Sequence, residues 1–210
     1  MKRVHPTQHP LIRHHLAVLR SIHTAPELFR ATAGRLTTLL AYEATQDLRV
    51  RSIPVVTPLG KTRGACVAAR IGLVPILRAG LGMVDALLTL LPAAEVWHLG
   101  YTRDEATLLP MAYYNKFPSR RPVSVALILD PMLATGGSAI AALEAVQVWG
   151  VRRIKLLTIL AAPEGVRRVT RMFPDLEIHV CAIDRKLTPN GFIVPGLGDA
   201  GDRLFNAPAR

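Results

Sequence analysis

From residue 71 onward the sequence alternates between two kinds of apolar segment. Short runs with the composition of strands buried on both faces lie at residues 71 to 77, 94 to 101, 123 to 129, 153 to 160 and 176 to 183. Segments with helical periodicity separate most of them, at residues 81 to 91, 138 to 150 and 163 to 173. Crossover helices make neighbouring strands parallel. Residues 71 to 183 are therefore predicted to form an α/β core, a mostly parallel, Rossmann-like sheet flanked by helices.

The remaining segments are predicted to be additions to this core within a single domain of residues 1 to 210. Thr24 and Glu27 have capping-box spacing ahead of a helical period, which predicts an outer helix over residues 25 to 48. Pro, Gly and β-branched pairs predict a hairpin or arm within residues 53 to 70. Residues 102 to 122 fit either a long loop or a second hairpin, and residues 184 to 210 are predicted to form a turn-rich, hood-like loop region.

Charge and cysteine content limit the classes of function. The net charge is +11, but the basic residues are dispersed and aromatic residues make up only 5%. An anionic small-molecule substrate is therefore favoured over a nucleic-acid surface. Cys66 and Cys181 match no metal or redox spacing, which suggests thiols in a reducing compartment. No apolar run approaches the roughly 18 residues of a membrane span, and no signal-peptide pattern is present, so we expect a cytoplasmic protein.

The segment DPMLATGGS, residues 130 to 138, directly follows the apolar run of residues 123 to 129. Ligands of parallel sheets bind beyond the carboxyl ends of the strands, and backbone N–H groups at a helix start attract phosphate. Gly136 and Gly137 allow a close backbone approach, and Asp130 can bond sugar hydroxyls or reach a metal through water. The lysine of a Walker loop is missing. The alternative is an ordinary strand-to-helix turn with Ser138 as the N-cap.

Arginines follow two further predicted strands. Arg78 comes directly after the run of residues 71 to 77, and the Ala-Gly pair behind it exposes backbone N–H groups. A pyrophosphate would pair with this charge, although a carboxylate could instead do so. Arg103 follows the next run and is a further candidate at the same edge of the sheet.

GLGDAG, residues 196 to 201, has the letters of a dinucleotide-binding motif. Only nine residues follow it, so a helix and a return strand cannot complete the βαβ unit that this motif requires. A glycine-rich loop that presents backbone groups, Asp199 and Asp202 to a flat polar ligand is favoured over a nicotinamide-dependent oxidoreductase.

Together these motifs closely resemble the uracil phosphoribosyltransferases, a family of type I phosphoribosyltransferases. The likeness runs nearly end to end, through HPLIRHHL, LLAYEATQDL, VPILRAGLGMVDALL, DEATLLP, LDPMLATGGSA, LAAPEGV and FIVPGLGDAGDRLF. The resemblance implies that uracil N1 attacks C1′ of 5-phospho-α-D-ribose 1-diphosphate (PRPP), giving UMP and diphosphate in pyrimidine salvage. It also implies Mg²⁺ brought by PRPP without a dedicated protein site, a homo-oligomer (dimer or tetramer), and GTP as an effector in some members.

The resemblance also assigns roles to residues. Asp130, Arg78 and Asp199 are implied to be catalytic, with Asp199 the chief candidate base in the absence of an obvious one. The residues implied to bind PRPP are Arg78, Arg103, Asp130, Pro131, Met132, Leu133, Ala134, Thr135, Gly136, Gly137, Ser138 and Asp199. Those implied to bind uracil, largely through backbone groups, are Ile193, Gly198, Asp199 and Ala200.

Several positions depart from the family pattern: Thr102, Ala106, Arg185, Lys186, Thr188, Phe192 and Asn206. Phe192 stands where tyrosine is usual and lacks a hydroxyl near the predicted base pocket. Two alternatives stay open for these reasons: transfer to another nucleobase, and an RNA-binding regulator built on the same fold, which the net charge of +11 supports.

Overall fold

A computed structural model describes residues 3–103, 110–119 and 121–207. Its strands are β1 (Val4–Pro6), β2 (Val50–Thr57), β3 (Gly60–Val67), β4 (Ile71–Leu77), β5 (Glu95–Val96), β6 (Leu99–Arg103), β7 (Pro110–Asn115), β8 (Val125–Leu129), β9 (Met132–Leu133), β10 (Arg153–Ala161), β11 (Glu177–Ile183), β12 (Lys186–Leu187) and β13 (Ile193–Val194). Its helices are α1 (Pro10–Arg20), α2 (Pro26–Ala44), α3 (Val84–Leu90), α4 (Gly137–Val148), α5 (Pro163–Met172) and α6 (Ala200–Phe205). A 3₁₀ turn, Ala79–Met83, leads into α3.

The central sheet is mostly parallel, as the alternation of segments predicts. Its strand order is β1-β11-β10-β8-β4-β6-β7, with β5 beside β4 and β9 beside β10. Only β7 runs antiparallel to its neighbour among these described strands. The carboxyl ends of β4 and β8 therefore lie side by side at one edge of the sheet. The predicted fold class is confirmed.

Helices cover both faces of the sheet, and strand β8 shows how. Val125, Leu127 and Leu129 pack in the hydrophobic cluster that includes residues of α1, α2 and α3. The intervening Ala126 and Ile128 pack in a second cluster with residues of α4 and α5. Because successive side chains of a strand point to opposite faces, a run that is apolar throughout fits a strand covered on both sides.

Helix α2 corresponds to the predicted outer helix but ends earlier, at Ala44. The capping-box interpretation is wrong. The N-cap is Ala25, without a side-chain hydrogen bond, and the Thr24 hydroxyl instead donates back to the carbonyl oxygen of Val18. The last carbonyl groups of α1 have no partner within the helix, and the turn between α1 and α2 brings the Thr24 hydroxyl to one of them.

The predicted strand over residues 94 to 101 is two short strands, β5 and β6, separated at Trp97 and His98. Trp97, in this gap, donates its indole N–H to Glu95 and packs edge-on against Trp149. Strands β2 and β3 form the predicted hairpin. Strand β7 pairs antiparallel with β6, in keeping with the second-hairpin alternative, while residues 104–109, including Ala106, lie outside the described residues.

Several short elements near both ends of the chain were not predicted from the sequence. Strand β1 extends the sheet beside β11, and α1 buries Ile12, Leu16 and Leu19 at helical spacing. The predicted loop region after residue 184 contains the two-stranded β12-β13 ladder and α6. Within the described ranges, none of the helices combines the length and apolar composition needed to cross a membrane.

A buried lysine joins two strands to the end of α2. The side chain of Lys155 is 2% exposed, and its ammonium donates to the Ala44 carbonyl (2.7 Å), Asp47 (2.8 Å) and Glu177 (2.8 Å). Partial burial by itself would raise the pKa of Asp47 and of Glu177, but bonding to Lys155 lowers both, and Arg153 contributes at Asp47. His5, Glu177 and His179 also place ligand atoms within 4.8 Å of one another. Lys155 already fills the cationic role there, so the group gives no support for a metal.

Lys155→Met is expected to lower the free energy of unfolding by about 2 kcal/mol at pH 7, because Glu177 loses its lysine partner and Asp47 keeps only Arg153. The lowered carboxyl pKa values make this contribution present above pH ~4 and lost as the pH falls below it. Urea unfolding at pH 7 and pH 3 measures both effects, with Lys61→Met on the exposed hairpin as the control. Equal stability of the two variants at pH 7 would contradict the assignment.

Candidate active site

Two strand ends and the C-terminal segment meet around one cavity of about 200 Å³. Strand β4 leads into Arg78, strand β8 leads into Asp130, and residues 191–201 lie against both turns. The lining residues are Ala79, Met132, Ala134, Gly191, Phe192, Ile193, Gly198, Asp199, Ala200 and Gly201. Residues predicted to bind PRPP and residues predicted to bind uracil therefore share one cavity.

Residues 130–138, here called the phosphate loop, contain a left-handed glycine and run into the first turn of α4. Gly136 has φ +80° and is the N-cap of α4, a conformation that favours glycine. The alternative with Ser138 as the N-cap is wrong, since the helix begins at Gly137. The free N–H groups of the first turn of α4 thus lie in the loop, where the helix dipole favours an anion.

Two residues of the phosphate loop serve the fold. Leu133 is 1% exposed and packs with residues of α4 and α5. The carbonyl oxygen of Pro131 accepts hydrogen bonds from the N–H groups of Ile159 (3.2 Å) and Leu160 (3.0 Å) in β10. Both positions shape the loop, whereas Met132 and Ala134 line the cavity.

Helix α5 packs directly behind the phosphate loop. A Cβ at Gly165 would lie far closer than 3.0 Å to the carbonyl oxygen of Ala134, so only glycine fits without movement. A Cβ at Gly136 would lie 3.2 Å from the Gly165 carbonyl. Arg168, one turn further along α5, donates from Nη1 to the carbonyl oxygen of Thr135 at 3.4 Å. The first turn of α5 therefore fixes the path of the loop.

Asp130 occupies the end of β8 and is partly buried. Burial raises its pKa to about 6, against the opposing effect of a hydrogen bond from the Met132 N–H to Oδ1 at 3.2 Å. The carboxyl group is therefore neutral in mildly acidic solution and charged at neutral pH. Only the carboxylate accepts hydrogen bonds at both oxygens.

The pKa of Asp130 predicts a pH dependence. The role that the resemblance implies for Asp130, at the ribose hydroxyls of PRPP, predicts that kcat/KM for PRPP falls as the pH drops through about 6, because the protonated group loses acceptors. PRPP phosphates titrate in the same range, so the Asp130→Asn profile serves as the reference for the substrate's own contribution. Carbon NMR of the Asp130 carboxyl group measures its pKa directly. A midpoint near the ordinary aspartate value of about 4 would contradict the expectation.

Residues 78–83, the arginine turn, pack against the strand that carries Asp130. A Cβ at Gly80 would collide with the Leu129 carbonyl oxygen. The Leu77–Arg78 peptide is cis. Arg78 donates from Nη2 to Asp202 Oδ1 at 3.0 Å, which is the carboxylate pairing weighed as an alternative to pyrophosphate binding. Its side chain is 60% exposed, so the guanidinium also stays accessible to an anionic ligand.

Residues 191–200, the base loop, end at the N-terminus of α6. Asp199 is the N-cap, and its Oδ1 accepts a hydrogen bond from the Asp202 N–H at 2.9 Å. Ile193 and Ala200 are each 5% exposed, whereas Phe192 is 52% exposed. No strand follows α6 within the described chain, through residue 207, which agrees with the rejection of a dinucleotide-binding unit.

Only the backbone of Arg103 belongs to the described part of the structure, so its predicted role at the diphosphate stays a prediction. Arg103 is the last residue of β6, where its backbone pairs with Pro110. Asp104 and Glu105 beside it lie outside the described residues.

Three side chains for which no role was predicted form hydrogen bonds with the backbone of the base loop. Arg20 and Arg203 donate to the carbonyl oxygens of Gly196 and Leu197, at 2.8 and 2.9 Å. Asp184 accepts from the Gly196 N–H at 2.8 Å. Asp184 and Arg20 are separated by 164 positions, so no local spacing links them.

The α/β fold of this chain is similar to that of a solved phosphoribosyltransferase. Among solved structures, the fold matches adenine phosphoribosyl transferase from Trypanosoma brucei, crystallised with AMP, pyrophosphate and ribose-5-phosphate. The TM-score is 0.58 over 88% of this chain and 84% of that chain, at 12% identity.

The family is then shown by closer similarities. A family model described as uracil phosphoribosyltransferase matches residues 6–207. Uracil phosphoribosyltransferase of Roseiflexus castenholzii is 55% identical over 205 residues, which cover 98% of this chain and 99% of that protein. The AQ2163 protein from Aquifex aeolicus has a TM-score of 0.92 and 38% identity over 99% of this chain and 100% of that chain. This chain belongs to the uracil phosphoribosyltransferase family, and the resemblance inferred from the motifs is confirmed.

Proposed function

We propose that this protein transfers the phosphoribosyl group of PRPP to N1 of uracil, forming UMP and diphosphate in pyrimidine salvage. One observation carries the proposal beyond family membership: Ala79, Ala134 and Ala200, from three separate turns, line one cavity of about 200 Å³. Residues matching the PRPP-binding motif and residues matching the uracil-binding motif thus face the same space, as a direct transfer between the two substrates requires.

Each turn supplies one part of the reaction. The phosphate loop holds the 5′-phosphate through the N–H groups at the start of α4, and Asp130 accepts hydrogen bonds from the ribose hydroxyls. The C1′–oxygen bond to diphosphate then breaks while the bond from uracil N1 to C1′ forms, and the N1 proton passes to the candidate base Asp199. Arg78 stabilises the negative charge that grows on the departing diphosphate. Backbone groups of Ile193, Gly198 and Ala200 hold the base in line with C1′.

Mg²⁺ is proposed to arrive with the diphosphate, where it neutralises part of the substrate charge. The donors at the site fit this role. Asp130, Asp199 and Asp202 each already accept a hydrogen bond at one oxygen and keep a second oxygen for waters of the ion. Such a set suits a metal bound mainly by substrate phosphates and water. Asp199, which lines the cavity, is proposed to face PRPP or this metal.

The test of base preference offers uracil, cytosine, orotate, hypoxanthine and guanine with PRPP and Mg²⁺, and measures diphosphate release and the nucleotide formed. Release with uracil alone is expected, because the base loop belongs to a chain of the uracil phosphoribosyltransferase family. Turnover of cytosine, orotate or a purine in place of uracil would show that the substrate is a different base. Salt-dependent RNA binding without UMP formation would favour the regulatory alternative.

Arg78→Ala is expected to lower kcat/KM for PRPP about 100-fold with an unchanged unfolding transition, because the charge that stabilises the leaving group is lost. The matched control is Arg70→Ala at the opposite end of β4, where the arginine side chain is similarly exposed (51% against 60%) and pairs with Glu95. If both variants keep wild-type kinetics, Arg78 has no role at the diphosphate.

We also propose self-association, a response to GTP and a reducing compartment. The β2-β3 hairpin exposes Val56 and Leu59 (77% and 100%), as expected for a homo-oligomer contact, and sedimentation equilibrium measures the assembly. GTP as an effector is tested by UMP formation with and without it. Free thiols at Cys66 and Cys181 suit a reducing compartment such as the cytoplasm.

A further inference from the structure

The base loop reverses direction within a few residues and has few hydrogen bonds of its own. Gly196 and Gly198 have φ +62° and +80°, and a Cβ at Gly196 would collide with the Ile193 carbonyl oxygen. The adjoining β12-β13 ladder pairs only two residues on each strand. Backbone donors and acceptors in such a loop need partners from elsewhere.

Asp184 and Arg20 supply those partners at Gly196. Asp184 Oδ2 accepts hydrogen bonds from the Gly196 N–H at 2.8 Å and from Arg20 Nη1 at 2.7 Å, and Oδ1 accepts from Arg20 Nη2 at 2.6 Å. Arg20 Nη1 also donates to the Gly196 carbonyl oxygen at 2.8 Å. Both backbone groups of one residue are thus fixed by a single bidentate ion pair. The Asp184 and Arg20 side chains are only 6% and 25% exposed, so water does not readily replace either partner.

Arg203 extends the same support by one residue. Its guanidinium donates to the carbonyl oxygens of Leu197 (2.9 Å), Leu19 (2.8 Å) and Ser21 (2.6 Å), and it lies 4.3 Å from the ring centre of Phe29. The loop is therefore tied to the turn between α1 and α2. Leu197 is thus held directly next to Gly198, which is proposed to contact the base together with Ile193.

We propose that the Asp184–Arg20 pair is a positioning device for the nucleobase: it fixes Gly196 and thereby aims the backbone groups of Ile193 and Gly198 at the base. This inference rests on the proposed uracil site. Neither side chain lines the cavity of about 200 Å³, so both act through the loop. The pair governs mainly the binding of the base, whereas PRPP is held mainly by the phosphate loop and the arginine turn, with Asp199 as its one proposed contact in the base loop.

The test compares Asp184→Asn, Arg20→Lys and the control Arg153→Met, which breaks the Asp47 ion pair at the opposite edge of the sheet. Asp184→Asn is expected to raise KM for uracil about tenfold or more, with KM for PRPP within about twofold of wild type. Arg20→Lys keeps the charge but lacks the planar fork, so it should fall between wild type and Asp184→Asn. Arg153→Met should leave both KM values unchanged.

Hydrogen exchange of residues 194–198 reports on the loop without any activity. Asp184→Asn should speed exchange of the Gly196 amide. Equal changes in both KM values, or unchanged exchange at Gly196, overturn the positioning role. Arg20→Lys provides the same readouts if Asp184→Asn does not fold. A wild-type enzyme that makes no UMP overturns the proposed function instead, and the exchange result still decides whether the pair holds the loop.

Discussion

Gly165→Ala is expected to lower kcat/KM for PRPP by about 100-fold or more, although the residue touches no substrate. Its new Cβ would meet two backbone atoms, the carbonyl oxygens of Ala134 and Leu133, the latter at 3.0 Å. Backbone carbonyls cannot rotate away as a side chain can. The phosphate loop or α5 must therefore move by about 1 Å, and a misplacement of that size costs about 100-fold in a positioned reaction.

Helix propensity alone predicts that Gly165→Ala stabilises the protein, so the steric effect and the propensity effect can be told apart. Alanine is favoured over glycine in a helix by about 1 kcal/mol, so propensity alone would stabilise α5. Gly34→Ala in α2 is the matched control, because its Cβ would lie 3.9 Å from the nearest atom, the Cβ of Ala86. Steady-state kinetics and thermal unfolding of both variants separate the two effects. Wild-type kcat/KM in Gly165→Ala would show that α5 does not set the path of the loop.

The sequence predicts those parts of the fold that local spacing encodes. The apolar runs that became β4, β8, β10 and β11 are buried on both faces, so each carries its own signal of a central strand. The short elements carry no such local signal, because β1 has only three residues and α6 only six. Each of these forms only because a partner already exists, an open edge of the sheet for β1 and the core under Leu204 for α6. Tertiary packing decides such segments.

The same limit applies to the candidate site. Residues directly after a strand, such as Arg78 and Asp130, can be predicted because parallel strands end at one edge of the sheet. The residues that hold the loops of the site in place cannot be predicted in this way. Gly165 is needed only because a carbonyl of another segment approaches it, and Asp184 matters through an arginine 164 positions away. Thr24 shows the converse error, a local spacing that suggested a cap whose hydroxyl bonds elsewhere.

Asp130→Asn is expected to have opposite effects on activity and on stability. Turnover should fall by about 100-fold or more, because an amide offers one acceptor where the carboxylate offers acceptors at both oxygens, and carries no charge beside the developing cation at C1′. Stability should rise at neutral pH. Burial raises the pKa of Asp130 to about 6, which means that the folded protein resists ionisation of this group.

The sign of the stability change follows from proton linkage. Since the pKa in the folded protein lies above the ordinary aspartate value of about 4, ionisation of Asp130 costs stability as the pH rises through about 6, and the cost stays above it. The neutral asparagine avoids that cost. Asp130→Asn should therefore unfold at a higher temperature than wild type at pH 8, with the difference gone near pH 4. The idea tested is that the charge of Asp130 serves catalysis although it lowers the stability of the fold. A variant that is less stable than wild type at pH 8, or that keeps full turnover, would contradict it.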